Sequence, residues 1–220
     1  MTGKSVGSVG ESVGSVGRSA MKSIERFMMS IAGKLVIASV ICCLFMAAEV
    51  ANAQPTSGLS NTTVLIIRHA EKPPSGDGLT PEGQARAIAY AKYFEPFNDG
   101  KESFNVDSLY ATSDTTKSAR PKLTLLPLSQ ATKLPIDTRF GNYDVAFLIH
   151  SLRTEPHGKH VLISWHHGHI PELINGLGVD SSTVLPNGKW PSNVFDWVIE
   201  IKYDQNGKVI KSQRIQEQIH

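Results

Sequence analysis

The positions of apolar residues from residue 63 onward predict an alternation of strands and helices. Thr63–Ile67 and His160–Ser164 are nearly continuous apolar runs rich in β-branched residues, which is typical of strands buried on both faces of a parallel sheet. A third strand is predicted from Val106 to Ala111. Helical spacing or helix-start signals predict four helices, which run from Pro81 to about Phe94, from Lys117 to Leu126, from Asp144 to Leu152 and from Ile170 to Leu177.

The first of these helices has the clearest start signal. Thr80 precedes it as an N-cap, and Pro81 occupies the first helical position, where a missing N–H is tolerated. Near the end of the chain, Val194–Lys202 and Lys208–Gln216 alternate apolar and polar residues around the turn Asp204–Gly207. Together the elements predict an α/β fold class with a mixed sheet that ends in an antiparallel hairpin.

The first quarter of the chain differs in composition from the rest. Residues 1–20 are dominated by Ser, Val and Gly and contain too few large apolar residues to bury a core, so we expect disorder there. Residues 21–53 combine basic residues, an apolar run and the small-residue pattern Ala51-Asn52-Ala53, which predicts a signal peptide cut before Gln54. Retention as a membrane anchor is the alternative, although the run is shorter than a spanning helix needs. We therefore expect a periplasmic or secreted domain over residues 54–220.

Cysteine content and charge narrow the classes of function. Cys42 and Cys43 both lie in the expected signal peptide, so we expect neither a thiol nucleophile nor a Cys-based zinc site in the domain. Removing residues 1–53 takes away five of the 22 Lys and Arg and three of the 20 Asp and Glu, which leaves 17 of each sign. A formally neutral domain argues against a nucleic-acid partner, whose binding depends on phosphate neutralisation. A membrane would be contacted only through the N-terminal segment, if it stays uncleaved.

Candidate chemistry follows the buried strands. Arg68 and His69 come directly after the first strand, and His166 and His167 come after another. Because the carboxyl ends of parallel strands meet at one edge of a sheet, these side chains are expected to lie together. The sequence resembles the histidine phosphatase superfamily, also called phosphoglycerate mutase-like, in its secreted bacterial branch. The resemblance is carried by four segments in a fixed order: Leu65–Pro73, Gly78–Ala85, Ala111–Asp114 with Arg120–Thr124, and Val161–Pro171.

The resemblance implies a three-layer sandwich, with a mostly parallel central sheet flanked by helices, that hydrolyses phosphate monoesters without a metal or other cofactor. In such a protein Arg68 and Arg120 would hold the phosphoryl group through their guanidinium forks. His69 would attack phosphorus and form a phosphohistidine, which water then hydrolyses. A second histidine would stabilise the charge of the transition state. The expected partner is a small-molecule or macromolecular phosphate ester.

Two of these positions have alternatives. For the second histidine, the commonest family spacing selects His166, whereas the Trp-x-His pattern selects His167, which we favour. For the second arginine, the family's usual position holds Lys117 in this chain. Arg120 requires a three-residue insertion but keeps the expected spacing to Thr124, so Lys117 is the fallback.

A proton donor to the leaving oxygen is expected from a carboxylate between the second arginine and the second histidine. Asp144 is the candidate, with Glu71 and Asp137 behind it. Such a donor needs a raised pKa, which a sequence does not reveal. Glu71 is also a candidate for lining the substrate pocket beside Arg68.

Two other classes of protein compete with a histidine phosphatase. A metal-dependent hydrolase would use clustered imidazoles as ligands, and the candidates are His69, His166, His167 and His169. A non-catalytic phosphate-binding module would keep the fold without turnover, because fold does not fix function. A mutase is a further alternative within the superfamily, and hydrolysis is preferred to it for a secreted protein.

Overall fold

The computed structural model describes residues 58–219, and the predictions of a disordered stretch, a signal peptide and its cleavage concern residues outside this range. The described part contains four α-helices: α1 Pro81–Tyr93, α2 Arg120–Thr132, α3 Val145–Thr154 and α4 Ile170–Gly176. Eight strands accompany them: β1 Thr63–Arg68, β2 Phe97–Asn98, β3 Ser103–Phe104, β4 Ser108–Ala111, β5 Ile136–Asp137, β6 His160–Trp165, β7 Trp197–Tyr203 and β8 Val209–Gln216. Among these residues no helix combines the length and apolarity that crossing a membrane would require.

Six strands form the central sheet in the order β5-β4-β6-β1-β7-β8. Strands β5, β4, β6 and β1 run parallel to one another, whereas β7 is antiparallel to β1 and β8 is antiparallel to β7. All six residues of β1 are buried, which explains why its sequence is a continuous apolar run rather than an alternating one. The predicted mostly parallel sheet with a C-terminal antiparallel hairpin is confirmed.

Helices cover both faces of this sheet. The side chains of Val64 and Ile66 pack in one apolar cluster that includes Leu148 of α3 and Leu173 of α4. The alternate residues of β1, Leu65 and Ile67, belong to a second cluster. This cluster also contains Tyr90 of α1 and Leu125 and Leu128 of α2. Since successive residues of a strand point to opposite faces, β1 supplies the core on both sides. The fold is therefore the expected three-layer α/β sandwich.

The second helix begins three residues later than predicted. Ser118 donates its backbone N–H to the hydroxyl oxygen of Thr115, so a turn occupies the position where the sequence suggested a helix start. The helix then continues through Pro127 to Thr132, beyond the predicted end at Leu126. An internal proline removes only one helical hydrogen bond, and the buried side chains on either side of it hold the helix against the sheet.

Candidate active site

The carboxyl ends of β1 and β6 bring the first histidines together. Arg68 pairs with Trp165 in the parallel register, and the His69 N–H donates to the Trp165 carbonyl at 3.0 Å. The next residue after each strand is a histidine, and the ring centroids of His69 and His166 lie 5.2 Å apart with an angle of 68° between the ring planes. The carboxyl ends of these two strands therefore place two imidazole rings edge to face.

His69 is held in one tautomer and kept neutral. Its Nδ1 lies 2.7 Å from the carbonyl oxygen of Ala70, and because a carbonyl only accepts, Nδ1 carries the proton. The Nε2 atom then bears the lone pair. The side chain is 2% exposed, and this burial lowers the pKa of His69 to about 3, so the ring is uncharged at neutral pH. A neutral imidazole with its lone pair on Nε2 is the form that can attack an electrophile.

Thr124 connects the segment that follows His69 to the start of α2. Its hydroxyl oxygen accepts the backbone N–H of Ala70 at 2.9 Å and donates its own proton to the Arg120 carbonyl at 2.8 Å. Thr124 is fully buried, so both bonds are shielded from water. The arginine-to-threonine spacing seen in the sequence thus corresponds to a hydrogen-bonded link between Arg120 and the loop that carries His69.

Arg68 is a buried cation with an unused donor edge. Its Nη1 donates to the carbonyls of Ser192 at 2.7 Å and Val194 at 2.9 Å, and its guanidinium carbon lies 3.8 Å above the ring of Phe195. The Nε and Nη2 atoms are buried and have no hydrogen-bond partner within residues 58–219. Burial lowers the pKa of Arg68 to about 10, which leaves it charged at neutral pH. Buried donors of a cation without partners point to an anionic ligand.

Arg120 supplies a second cation with a free donor. Its Nη1 donates to the carbonyl of Gly76 at 3.0 Å, whereas its buried Nε has no partner among the described residues. Burial lowers the pKa of Arg120, and Asp77 acts in the opposite direction. The charges of Arg120 and Arg68 influence each other as well. Lys117, the sequence-based fallback, is exposed in the turn before α2.

Both candidate second histidines lie at the site, in different environments. His166 faces His69 and has its Nε2 3.4 Å from the hydroxyl oxygen of Thr112. Burial, followed by the charge of Arg120, lowers the pKa of His166 to about 4. His167 is half-buried, and its pKa is lowered by burial and then by the charges of Arg68 and Lys72. His166 thus supplies the ring that packs edge to face against His69, whereas His167 is close enough to Arg68 for its charge to act on the imidazole.

The three candidate carboxylates differ in their partners. Glu71 accepts bonds from Nε and Nη2 of Arg86 at 2.7–3.2 Å, and Asp137 accepts three bonds of 2.8–3.1 Å from the Arg139 side chain. Both are thus engaged in ion pairs. Asp144 accepts the backbone N–H of Gly141 at 2.8 Å and lies just before α3. Of the three, Asp144 is the one that is not neutralised by an arginine in the described contacts.

Some residues of the site carried little signal in the sequence. Phe195 lies under Arg68 and 6.3 Å from His69, yet it belongs to an irregular segment before β7 without a motif. Thr112 follows β4 and reaches His166 only because β4 is the parallel neighbour of β6. Within the part of the chain that the structure covers, no three His, Cys, Asp or Glu side chains are grouped as metal ligands would be.

Comparison with known proteins finds similarity in fold to solved structures. No protein-family model and no curated protein sequence matches the chain significantly. Among solved structures, phosphoglycerate mutase from Plasmodium falciparum is 18% identical, with a TM-score of 0.45 over 68% of this chain and 89% of that one. The protein histidine phosphatase SixA in complex with tungstate is 16% identical, with a TM-score of 0.46 over 70% and 97%. A mycobacterial glucosyl-3-phosphoglycerate phosphatase is 12% identical, with a TM-score of 0.40 over 72% and 99%.

Proposed function

We propose that the chain is a member of the histidine phosphatase superfamily and hydrolyses phosphate monoesters through a phosphohistidine on His69. The observation that carries the proposal is the combination of a neutral His69 ring with two arginines that keep unused buried donors: Nε and Nη2 of the buried Arg68 and Nε of the partly buried Arg120 have no partner among residues 58–219. A phosphate monoester has close to two negative charges and several acceptor oxygens, so it satisfies both the charge and the hydrogen-bonding capacity of this site.

The reaction proceeds in two displacements at phosphorus. In the first, the Nε2 lone pair of His69 forms a bond to phosphorus, and the ester P–O bond breaks with its electron pair on the leaving oxygen. In the second, water attacks phosphorus, the P–N bond breaks, and inorganic phosphate leaves with His69 neutral again. Arg68 and Arg120 stabilise the charge on the non-bridging oxygens in both steps. The hydrogen bond from Nδ1 to Ala70 keeps the attacking nitrogen unprotonated.

We assign the second histidine role to His166 rather than His167. Its ring packs against that of His69, so a phosphoryl group bound to Nε2 of His69 would lie next to it. The dianion would raise the pKa of His166 from its low value in the free site and favour a protonated, donating ring. His167 then contributes from the Arg68 side of the pocket. Asp144 stays a prediction as the proton donor to the leaving oxygen.

We further propose that residues 21–53 direct the protein to the periplasm or the exterior, where it meets its ester. The function does not depend on this location.

Phosphate release in the presence of a chelator tests the function. The full chain would be incubated with a generic aryl phosphate and excess EDTA, alongside His69→Ala and the control His150→Ala, which removes an exposed histidine of α3. We expect release by wild type and by the control, and none by His69→Ala. Activity that requires an added metal would favour the metal-dependent hydrolase instead. A folded wild type that binds orthophosphate but releases none would favour the binding module.

A further inference from the structure

The loop from Phe140 to Asp144 lies at the carboxyl ends of the parallel strands, where the candidate active site is. The backbone N–H of Ser113, just after β4, donates to the Phe140 carbonyl at 2.7 Å. At the end of β6, Nε1 of Trp165 donates to the Asn142 carbonyl at 3.3 Å. These two bonds attach the loop to the carboxyl ends of two parallel strands. The loop is therefore positioned beside the phosphate pocket rather than on a remote surface.

This loop presents an exposed aromatic ring. Tyr143 is 81% exposed, the highest value among the exposed large hydrophobic side chains of the described residues. Its ring nevertheless has a defined neighbour, since it packs edge-on against His169 with a centroid distance of 4.7 Å. The Nδ1 atom of His169 lies 3.2 Å from the Glu172 carboxylate, which orients the imidazole. Tyr143 thus stands in a fixed place with most of its surface open to solvent.

His169 connects Tyr143 to His166 of the candidate active site. Its backbone N–H donates to the His166 carbonyl at 3.0 Å. Tyr143 and His169 therefore form an aromatic surface one backbone turn away from His166. A group attached to a phosphoryl at His69 and extending past His166 would reach this surface.

The charges around this surface differ from those inside the pocket. The pocket holds Arg68 and Arg120, whereas the surface around Tyr143 is flanked by the carboxylates of Asp144 and Glu172. Glu172 is more than half exposed, so it would repel an incoming anion only over a short range. The arrangement favours a ligand whose phosphate is its only strongly anionic part.

Resting on the proposed phosphatase function, we propose that Tyr143 and His169 form a subsite for an aromatic, uncharged leaving group, so that aryl phosphate monoesters are the substrate class. The phosphoryl group passes to Nε2 of His69, and the P–O bond breaks while the aryl C–O bond stays intact. The phenolate oxygen keeps the electron pair of the broken bond and takes a proton from the predicted donor Asp144, which regains one from the water that hydrolyses the phosphohistidine. The phenol then leaves from the aromatic surface, and hydrolysis of the phosphohistidine completes the turnover.

A substrate comparison with a matched variant tests the subsite. Values of kcat/KM for phenyl phosphate and methyl phosphate would be measured for the full-length wild type, Tyr143→Ser and Tyr143→Phe. The control is Phe147→Ser, which removes another exposed aromatic residue. Phe147 lies in the first turn of α3. Comparing each variant with wild type on the same ester cancels the greater intrinsic reactivity of the aryl ester.

Tyr143→Ser is expected to lower kcat/KM for phenyl phosphate about fivefold, the size of one aromatic contact, and to leave methyl phosphate and inhibition by orthophosphate unchanged. Tyr143→Phe and Phe147→Ser should both behave as wild type. Equal losses for both esters in Tyr143→Ser, or the same loss in Phe147→Ser, would overturn the subsite while leaving the phosphatase function intact. A wild type that hydrolyses neither ester would overturn the function and the subsite with it.

Discussion

The chemistry of His69 depends on its surroundings more than on the residue type. A free histidine is partly protonated near neutral pH, and a protonated ring cannot act as a nucleophile. Burial at the end of β1 removes that proton, and the Ala70 carbonyl selects which nitrogen keeps the other one. Arg68 beside it remains charged because its Nη1 and the face of its guanidinium have polar and aromatic neighbours. A neutral nucleophile and a buried cation are thereby held next to each other.

The lowered pKa of His69 predicts a loss of stability in acid. Between pH 6.5 and about 3 the unfolded chain binds a proton on this histidine that the folded chain does not bind, so the free energy of unfolding falls as the pH falls through that window. From pH 7.5 to 4.5, wild type should lose about 2 kcal/mol more stability than His69→Gln. Urea unfolding at both pH values measures the difference.

The exposed His150 provides the control for this experiment, because His150→Gln should keep the pH dependence of wild type. If His69→Gln loses stability in acid as steeply as wild type, the ring is not held neutral by the fold.

Two helices fix the loop that carries His69. Thr124 of α2 holds Ala70, and the start of α1 lies against Glu71, whose carbonyl accepts the Thr80 N–H at 3.0 Å. Gly83, in the first turn of α1, approaches so closely that a Cβ there would lie 2.5 Å from the Glu71 carbonyl oxygen. Glycine is required at this position because a backbone, not a flexible side chain, is the neighbour.

Gly83→Ala is therefore expected to displace Glu71 and the loop before it. We expect a loss of about 2 kcal/mol in the free energy of unfolding and a drop in kcat. Gly78→Ala is the matched control, since a Cβ at Gly78 meets no atom within 4 Å. Equal stability and turnover of the two variants would show that the contact between α1 and the loop is not restrictive.

An ion-pair network extends from the loop to the last strand. Arg86 of α1 binds Glu71 at 2.7 Å and Glu217 at 2.8 Å, and the Tyr90 hydroxyl donates to Glu217. The Glu217 side chain is fully buried, and burial raises its pKa to about 7. The network connects the end of β8 to the residue two positions after His69.

Arg86→Met should destabilise the protein by about 3 kcal/mol, because it leaves a buried carboxylate without its cation. Lys122→Met removes a half-exposed partner of Asp114 and should change the free energy of unfolding by less than about 1 kcal/mol. Denaturant unfolding of the two variants at pH 8 measures both effects. A cost for Arg86→Met as small as that for Lys122→Met would contradict the network's role.

The elements that sequence patterns predict well are those with a local physical cause. The buried runs of β1 and β6, the Thr80 cap of α1 and the alternation of the terminal hairpin all appear in the structure. The two-residue strands β2, β3 and β5 are too short for a periodic pattern, so they were not predicted. The sequence predicts the start of α2 at Lys117, three residues too early, because it does not reveal that the Thr115 hydroxyl closes a turn there.

At the scale of the whole molecule, long-range contacts complete the site. Arg68 is held by carbonyls of residues 192 and 194, and Phe195 covers its guanidinium, although more than 120 positions separate them along the chain. No local pattern predicts such partners, since they arise from the antiparallel placement of β7 beside β1. The choice between His166 and His167 has the same origin, because it depends on which ring β6 directs toward His69.

The central sheet thus gathers a neutral nucleophile, two cations and two further histidines at a single edge, where segments from four parts of the chain meet. The central claim is that His69 becomes phosphorylated during turnover. The full-length protein would be mixed with phenyl phosphate in EDTA, quenched in alkali within one turnover, digested and analysed by mass spectrometry. The account predicts one acid-labile phosphoryl group on the peptide that contains His69, in wild type and not in His69→Ala. Turnover without phosphate on His69, or with phosphate on another residue, would contradict it.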